Sequence, residues 1–233
     1  MGNVMAHGLD KAGKLRIDTA LALNEFYSDK TGKMELVSVP RNEGGFVHAI
    51  PALEEDPTNE KRNRFDVDIL ITGTKRIEEN PETQLNERVQ VNGYIFNFRK
   101  ALMPFTFIAT APGAMNYYES LEATPNNPIL TRIKGRQIVT TIVKEVVEES
   151  AFGEASVRQF KNNRNEYLIT WGQQVPYDFG DEKVMTADDV TAAMAERETY
   201  LATLRSRKEE SNAMKNQAPA AVAPAPAAAN FNF

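Results

Sequence analysis

The sequence predicts a mainly β protein organised around a small closed barrel of five strands. Three observations carry that expectation. Segments rich in β-branched and aromatic residues recur between residues 64 and 172, one helix-compatible stretch interrupts them after the third, and turn residues separate them. The first segment, RFDVDILITGTKRIEE (64–79), places Phe65, Val67, Ile69 and Ile71 on one face and Asp66 and Asp68 on the other, as a period of two requires. RVQVNGYIFNF (88–98) sets Val89, Val91 and Ile95 against Tyr94, Phe96 and Phe98, and MPFTFIATA (103–111) continues with Phe105 and Phe107. PGAMNYYESLEA (112–123) opens on Pro112 and Gly113 and reads as a short helix. ILTRIKGRQIVTTIVKEVVEE (129–149) is a β-branched run, and VRQFKNNRNEYLITWG (157–172) presents two apolar ends around Asn162, Asn163, Arg164 and Asn165, a turn-like centre. The order strand, strand, strand, helix, strand, strand is that of an oligonucleotide-binding (OB) fold, whose core we place at 64–180.

Residues 1–50 read as an arm and a hairpin extension whose strands either extend the barrel or pack on its side. Glycines at 2, 8 and 13 and weak periodicity make the first dozen residues a loose arm. Residues 15–39 read as two strands around Ser28–Lys33, where Gly32 suits the positive φ of a tight connection. GGFVHAI (44–50) adds a short strand, and 51–64, polar and carrying Pro51 and Pro57, is an exposed loop. Beyond the barrel, 186–210 is the clearest helix. Thr186 and Asp189 form a capping box, and Val190, Met194, Arg197, Leu201 and Leu204 follow helical spacing, a stripe suited to packing on the barrel or, as the less common use, to a dimer seam or a docking face for a replication protein. We assign 186–212 to this C-terminal helix and 213–233 to a disordered tail, because 216–233 has no charged side chain and three prolines among many alanines.

Composition narrows the function. A chain of 233 residues buries a sizeable core, and its formal charge of −5 argues against coating nucleic acid by bulk charge while leaving room for a local basic groove. The absence of cysteine excludes disulfides and thiol chemistry and fits a reducing compartment. No apolar run approaches the about 20 residues needed to cross a bilayer, and no signal pattern opens the chain, so we expect a cytoplasmic protein without a membrane partner. His7 and His48 are the only histidines, and no phosphate-binding glycine loop or nucleophile elbow is present. Asp66 and Asp68 could hold a cation only with a third ligand that the sequence does not place beside them. We therefore expect no catalysis, no metal and no cofactor.

The charge balance changes along the chain. Residues 51–87 carry ten acids against five bases, and residues 88–165 carry ten bases against six acids, so a polyanion would feel the second region first. Within it Arg132, Lys134 and Arg136 alternate and share one side of a strand until Gly135 permits a bend or bulge. Such a row tracks successive phosphates, or else it is a solvated edge whose charges prevent sheet-to-sheet aggregation. Both faces of 88–98 are apolar. If the valine side is the core, Tyr94, Phe96 and Phe98 form an outer platform on which unpaired bases stack, each worth about 1–3 kcal/mol; a kink at Gly93 would turn them inward. Trp171, beside Gly172 at a strand end, is the ring most expected to be exposed. Arg99 and Lys100 follow Phe98 at a hairpin tip, and Lys161 and Arg164 complete the candidate nucleic-acid-binding set.

The stretch 144–201 resembles the C-terminal half of phage single-stranded DNA-binding proteins with an OB fold. The features that carry the likeness are Ala151-Phe152-Gly153 between two strands, the ending Tyr167-Leu168-Ile169-Thr170-Trp171-Gly172, the turn Pro176-Tyr177-Asp178, and Ala195-Glu196-Arg197-Glu198 in the helix. In strand order the likeness spans about 65–205, and it implies single-stranded DNA as the ligand. Many such proteins resemble this chain in ending a disordered tail with a phenylalanine that recruits partners, although their tails are typically acidic and this one is not. Phe231 and Phe233 are thus expected to dock replication or recombination proteins. The expectation is a sequence-tolerant single-stranded DNA binder; the rival is a virion or scaffold protein that uses the same barrel and helix for protein contacts.

Overall fold

The computed structural model describes residues 12–50, 62–81, 85–97, 99–148, 152, 156–179 and 185–217. Among them are seven strands and two helices: β1 Lys14–Ser28, β2 Glu35–Ile50, β3 Arg64–Ile77, β4 Arg88–Phe96, β5 Leu102–Ala109, α1 Pro112–Ser120, β6 Ile129–Glu148, β7 Ser156–Gly172 and α2 Ala187–Gln217. β3 to β7 close into a barrel in the order β3-β4-β5-β7-β6. Antiparallel pairing of β3 with β6 seals one side, and β5 meets β7 in parallel at Ile108 and Leu168. This is the predicted mainly β, OB-like barrel, with the helix after its third strand.

Strand alternation decides what lies inside. Val89, Val91 and Ile95 of β4 are buried with Phe65, Ile69, Ile71, Phe105, Phe107, Ile133, Tyr167 and Ile169, so the valine face is the core. Four rings, Phe65, Phe105, Phe107 and Tyr167, meet at centroid distances of 5.2 to 6.1 Å, in the range where aromatic pairs attract. Gly93 does not kink β4. It is ladder-paired on both sides, and a Cβ there would overlap the Leu70 carbonyl oxygen. α1 inserts Met115 and Tyr118 into the same core, with Tyr118 Oη packed where a Cβ on Gly172 would sit, at 2.6 Å.

The flanking elements depart from the sequence reading in three ways. Residues 44–50 are not a separate strand: β2 runs unbroken from Glu35 to Ile50, with Gly44 and Gly45 at φ of 62° and 136° accommodating a bulge opposite Asp18 and Ala20. β1 and β2 form a two-stranded sheet of their own that packs on the side of the barrel, one of the two placements the sequence allows. Asn162–Asn165 is no turn, because Val139, Thr140, Thr141 and Ile142 pair with it inside one long ribbon, and Thr141 Oγ1 donates to Asn163 Oδ1 at 2.9 Å. Continuous pairing with β-branched partners overrides the turn preference of asparagine. α2 also runs on to Gln217. The expected loose arm up to residue 11, loop 51–61, Phe98, and the tail from 218 with Phe231 and Phe233 lie outside the described residues.

α2 begins at the predicted capping box, with the Asp189 amide donating to Thr186 Oγ1 at 3.1 Å and the Thr186 amide to Asp189 Oδ2 at 3.2 Å. Its first turns cover the outer face of the barrel, where Val190, Ala193 and Met194 pack with Leu70, Tyr94, Phe96, Leu102 and Leu130. Arg197 then donates to both carboxylate oxygens of Glu25 on β1, at 2.7 and 3.2 Å, and to the Leu102 carbonyl at 2.9 Å. Farther along, Lys208 and Asn212 hold Asp29 at the β1–β2 turn. The side chains of Arg197 and Glu25 are only 10% and 4% exposed, so removing one partner strands a buried charge. Glu25→Ala should cost about 3–5 kcal/mol in chemical denaturation, and Glu25→Leu combined with Arg197→Met should recover most of it. A loss under about 1 kcal/mol in the single variant contradicts this account of how ribbon and helix are joined.

Candidate nucleic-acid interface

Because Ile133 and Gly135 face the core, Arg132, Lys134 and Arg136 of β6 take the other side of the strand, Arg132 and Lys134 exposed and Arg136 half-buried with its Nε enclosed. β3 lies on one side of this row, with Asp68 opposite Arg132, Asp66 opposite Lys134 and Arg64 opposite Arg136. β7 lies on the other, and here the ladder slips: Gly135 pairs with Ile169, but Lys134 pairs with Trp171, leaving Thr170 as an extra residue. Strict alternation from Tyr167 and Ile169, both buried, would have sent Trp171 inward. The one-residue bulge reverses its side. Gly135 makes the close approach possible, since a Cβ there would overlap the Leu168 carbonyl and come within 2.5 Å of Phe65. Trp171 is consequently 47% exposed, and Lys134 Nζ sits 5.1 Å from its ring centroid, a cation–π contact.

One carboxylate organises the row. Asp66 accepts from Arg132 Nε at 2.7 Å through one oxygen and lies 3.2 Å from Lys134 Nζ through the other. The Arg132 hydrogen bond, opposed by desolvation and aided by Lys134, holds the Asp66 carboxyl below its ordinary value of 3.8, and the same bond raises Arg132. Asp68 accepts from the Tyr177 hydroxyl at 3.2 Å. The two aspartates thus orient cationic and phenolic donors, and among the described residues no three His, Asp or Glu side chains gather as a metal site. These pairs are solvent-exposed, so a phosphate oxygen can take the place of the carboxylate at small cost.

The other candidates divide. Arg164 lies farther along the same face of β7, opposite Thr140, with its Nε 2.9 Å from Glu166 Oε1 and its Nη2 donating to Glu166 Oε2 at 3.5 Å. Glu166 also takes Arg88 Nη1 at 2.7 Å, a pair 8% and 10% exposed that ties the start of β4 to β7. Lys161 pairs with Val143 and so occupies the opposite face of the ribbon. Lys100 holds Asp189 at 2.9 Å, and the Arg99 amide donates to Asn97 Oδ1, so this tip is joined to the start of α2. Tyr94 and Phe96 do project from the outer face of β4, but α2 packs over them and Arg197 lies 5.9 Å from the Tyr94 ring. The structure therefore brings together Arg132, Lys134, Arg136 and Trp171, with Arg164 along the same face, and sets Tyr94, Phe96, Arg99, Lys100 and Lys161 elsewhere.

Sequence reasoning passed over Asp66 as an organiser and Phe160, which is half-exposed and has the Arg158 guanidinium 5.2 Å from its ring. The parity of 158, 160 and 164 would have placed them together once Asn162–Asn165 was read as strand. It also passed over a groove of about 580 Å³ between the β1–β2 ribbon and the outer face of β4 and β5, reached by Arg164 at one end.

Comparison with known proteins gives one finding: a protein-family model described as YorF matches residues 3–207. No curated protein and no solved structure matches the chain. No helix among the described residues is long and apolar enough to cross a membrane.

The electrostatics carry a pH dependence. With the folded Asp66 held below 3.8, the ion pairs contribute fully above that value and are lost as pH falls through the lowered folded one. Asp66→Asn should therefore be less stable than the parent at pH 6 by at most about 1 kcal/mol, with the gap closing toward pH 2.5 in urea titrations. A gap that widens on acidification contradicts the assignment.

Proposed function

The chain belongs to the YorF family, and we propose that it binds single-stranded DNA without strong sequence preference, protecting it in the host cytoplasm during phage DNA replication or recombination. The observation that carries this reading is the exposed Trp171 ring held against Lys134, with the exposed Arg132 and the half-buried Arg136 in the same row. The ring offers a surface on which any unpaired base stacks, whereas bases inside a duplex already stack on one another. The cations recur every second residue, about 7 Å along the strand, a step that suits successive phosphates of an extended chain. The likeness of 144–201 to phage single-stranded DNA-binding proteins supports the same ligand class. The protein acts by holding the strand and catalyses nothing, and Phe231 and Phe233 recruit replication or recombination proteins.

A second reading, a virion or scaffold protein, draws support from Leu15, Ile17, Phe46 and Val47, large apolar side chains exposed at the end of the β1–β2 ribbon away from its turn. Anisotropy of labelled oligo(dT) across a salt series separates the two. Each phosphate contact adds about 0.7 to the slope of log affinity against log salt, so Arg132→Gln with Arg136→Gln should lower the slope by about 1.4. Asp66→Asn should raise affinity by releasing Arg132 and Lys134. Failure to bind single or double strands at low salt overturns the DNA reading and leaves the protein-contact one.

A further inference from the structure

The groove beneath the β1–β2 ribbon is a second place where an unpaired strand can lodge, and its chemistry differs from that of the open face. Its floor is the outer side of β4 and β5, with Gln90, Asn92 and Thr106, and Thr106 Oγ1 donates to Asn92 Oδ1 at 3.0 Å. Tyr94 and Pro40 give it flat apolar walls. Its charged lining residues are Arg164 and Glu166, and Glu166 also takes the buried Arg88 behind the lining. Amides, hydroxyls and flat apolar surface make up most of this lining and suit an uncharged heteroaromatic ring with donors and acceptors on its edge, while the Arg164 guanidinium can meet the phosphate that follows it. At about 580 Å³ the space exceeds what a single base fills.

The position completes the argument. Arg164 lines the groove and also stands on the face of β7 that carries Trp171 at its other end, about 20 Å away at about 3.3 Å per residue. A strand stacked on Trp171 can follow β7 past Leu168 to Arg164 and enter. Building on the proposed function, we infer that the β1–β2 ribbon is a clamp that holds unpaired bases in this groove, with Pro40 above and Asn92 and Thr106 reading their edges. A duplex offers this groove no free base edge, because its Watson–Crick edges are already paired. Residues 14–50, which the sequence left without a function, thereby become part of the ligand site. The ribbon is fixed at its turn by Asp29 to Lys208 and Asn212 and shortly before it by Glu25 to Arg197, so α2 holds the turn end of the clamp against the barrel.

Because the chain lacks cysteine, a single thiol can be placed at will. Pro40→Cys, carrying an environment-sensitive dye, should change emission on titration with oligo(dT), with the midpoint given by anisotropy of the labelled strand. The same dye on Val39→Cys, an exposed position on the opposite face of the ribbon, should stay silent. Independently, Asn92→Leu should weaken oligo(dT) by about tenfold while leaving an abasic deoxyribose-phosphate oligomer within about twofold. Oligo(dT) bound without a response at position 40, or an equal loss on both oligomers, overturns the clamp alone. A wild-type chain that binds neither oligomer overturns the proposed function with it.

Discussion

The layout of this molecule depends on the way Arg197 is buried. β4 is apolar on both faces, because Val89, Val91 and Ile95 fill the barrel while Tyr94 and Phe96 are left outside, and the outer rings need a cover. α2 supplies it, but the apolar stripe of the helix is interrupted at Arg197, whose guanidinium must be satisfied away from water. Glu25 of β1, the Leu102 carbonyl of β5 and the face of Tyr94 together do so. Desolvating two charges is costly and is offset only by such full coordination. The helix can therefore close over the barrel only with the N-terminal ribbon in place. One residue ties three separate parts of the chain into a single arrangement.

That arrangement assigns roles to the faces of the barrel. The outer side of β4 and β5 lies under α2 at one end and under the ribbon at the other, whereas β6 and β7 stay open. On the open side the decisive feature is a backbone irregularity. A single extra residue, Thr170, resets the period of two, so that the chain's only tryptophan leaves the row of buried residues to which its spacing assigns it and joins the cations. Gly135 is the counterpart across the ladder, where no side chain would fit.

The legible part of the sequence was the part written in local periodicity. The order of the barrel elements, the buried face of β3, the capping box of α2 and a ladder irregularity beside Gly135 all follow from spacing or from the small size of one residue. What stayed hidden was set by partners distant in sequence. Asn162–Asn165 reads as a turn until Val139–Ile142 is laid beside it, and Tyr94 and Phe96 read as a platform until α2 is docked. The local excess of bases was countable, but strand pairing sent Lys161 to the reverse of the ribbon and gave Lys100 to Asp189. The exposure of Trp171 was expected from its place at a strand end, and the bulge supplies the physical cause.

The central claim is that an unpaired base stacks on Trp171 beside Lys134. Since Trp171 is the only tryptophan, its intrinsic emission reports on that face alone. Titration with oligo(dT) at low salt should quench it to saturation, and added salt should restore it, while duplex of equal length leaves it largely unchanged. Unaltered emission in the presence of strand shown to be bound would contradict the account.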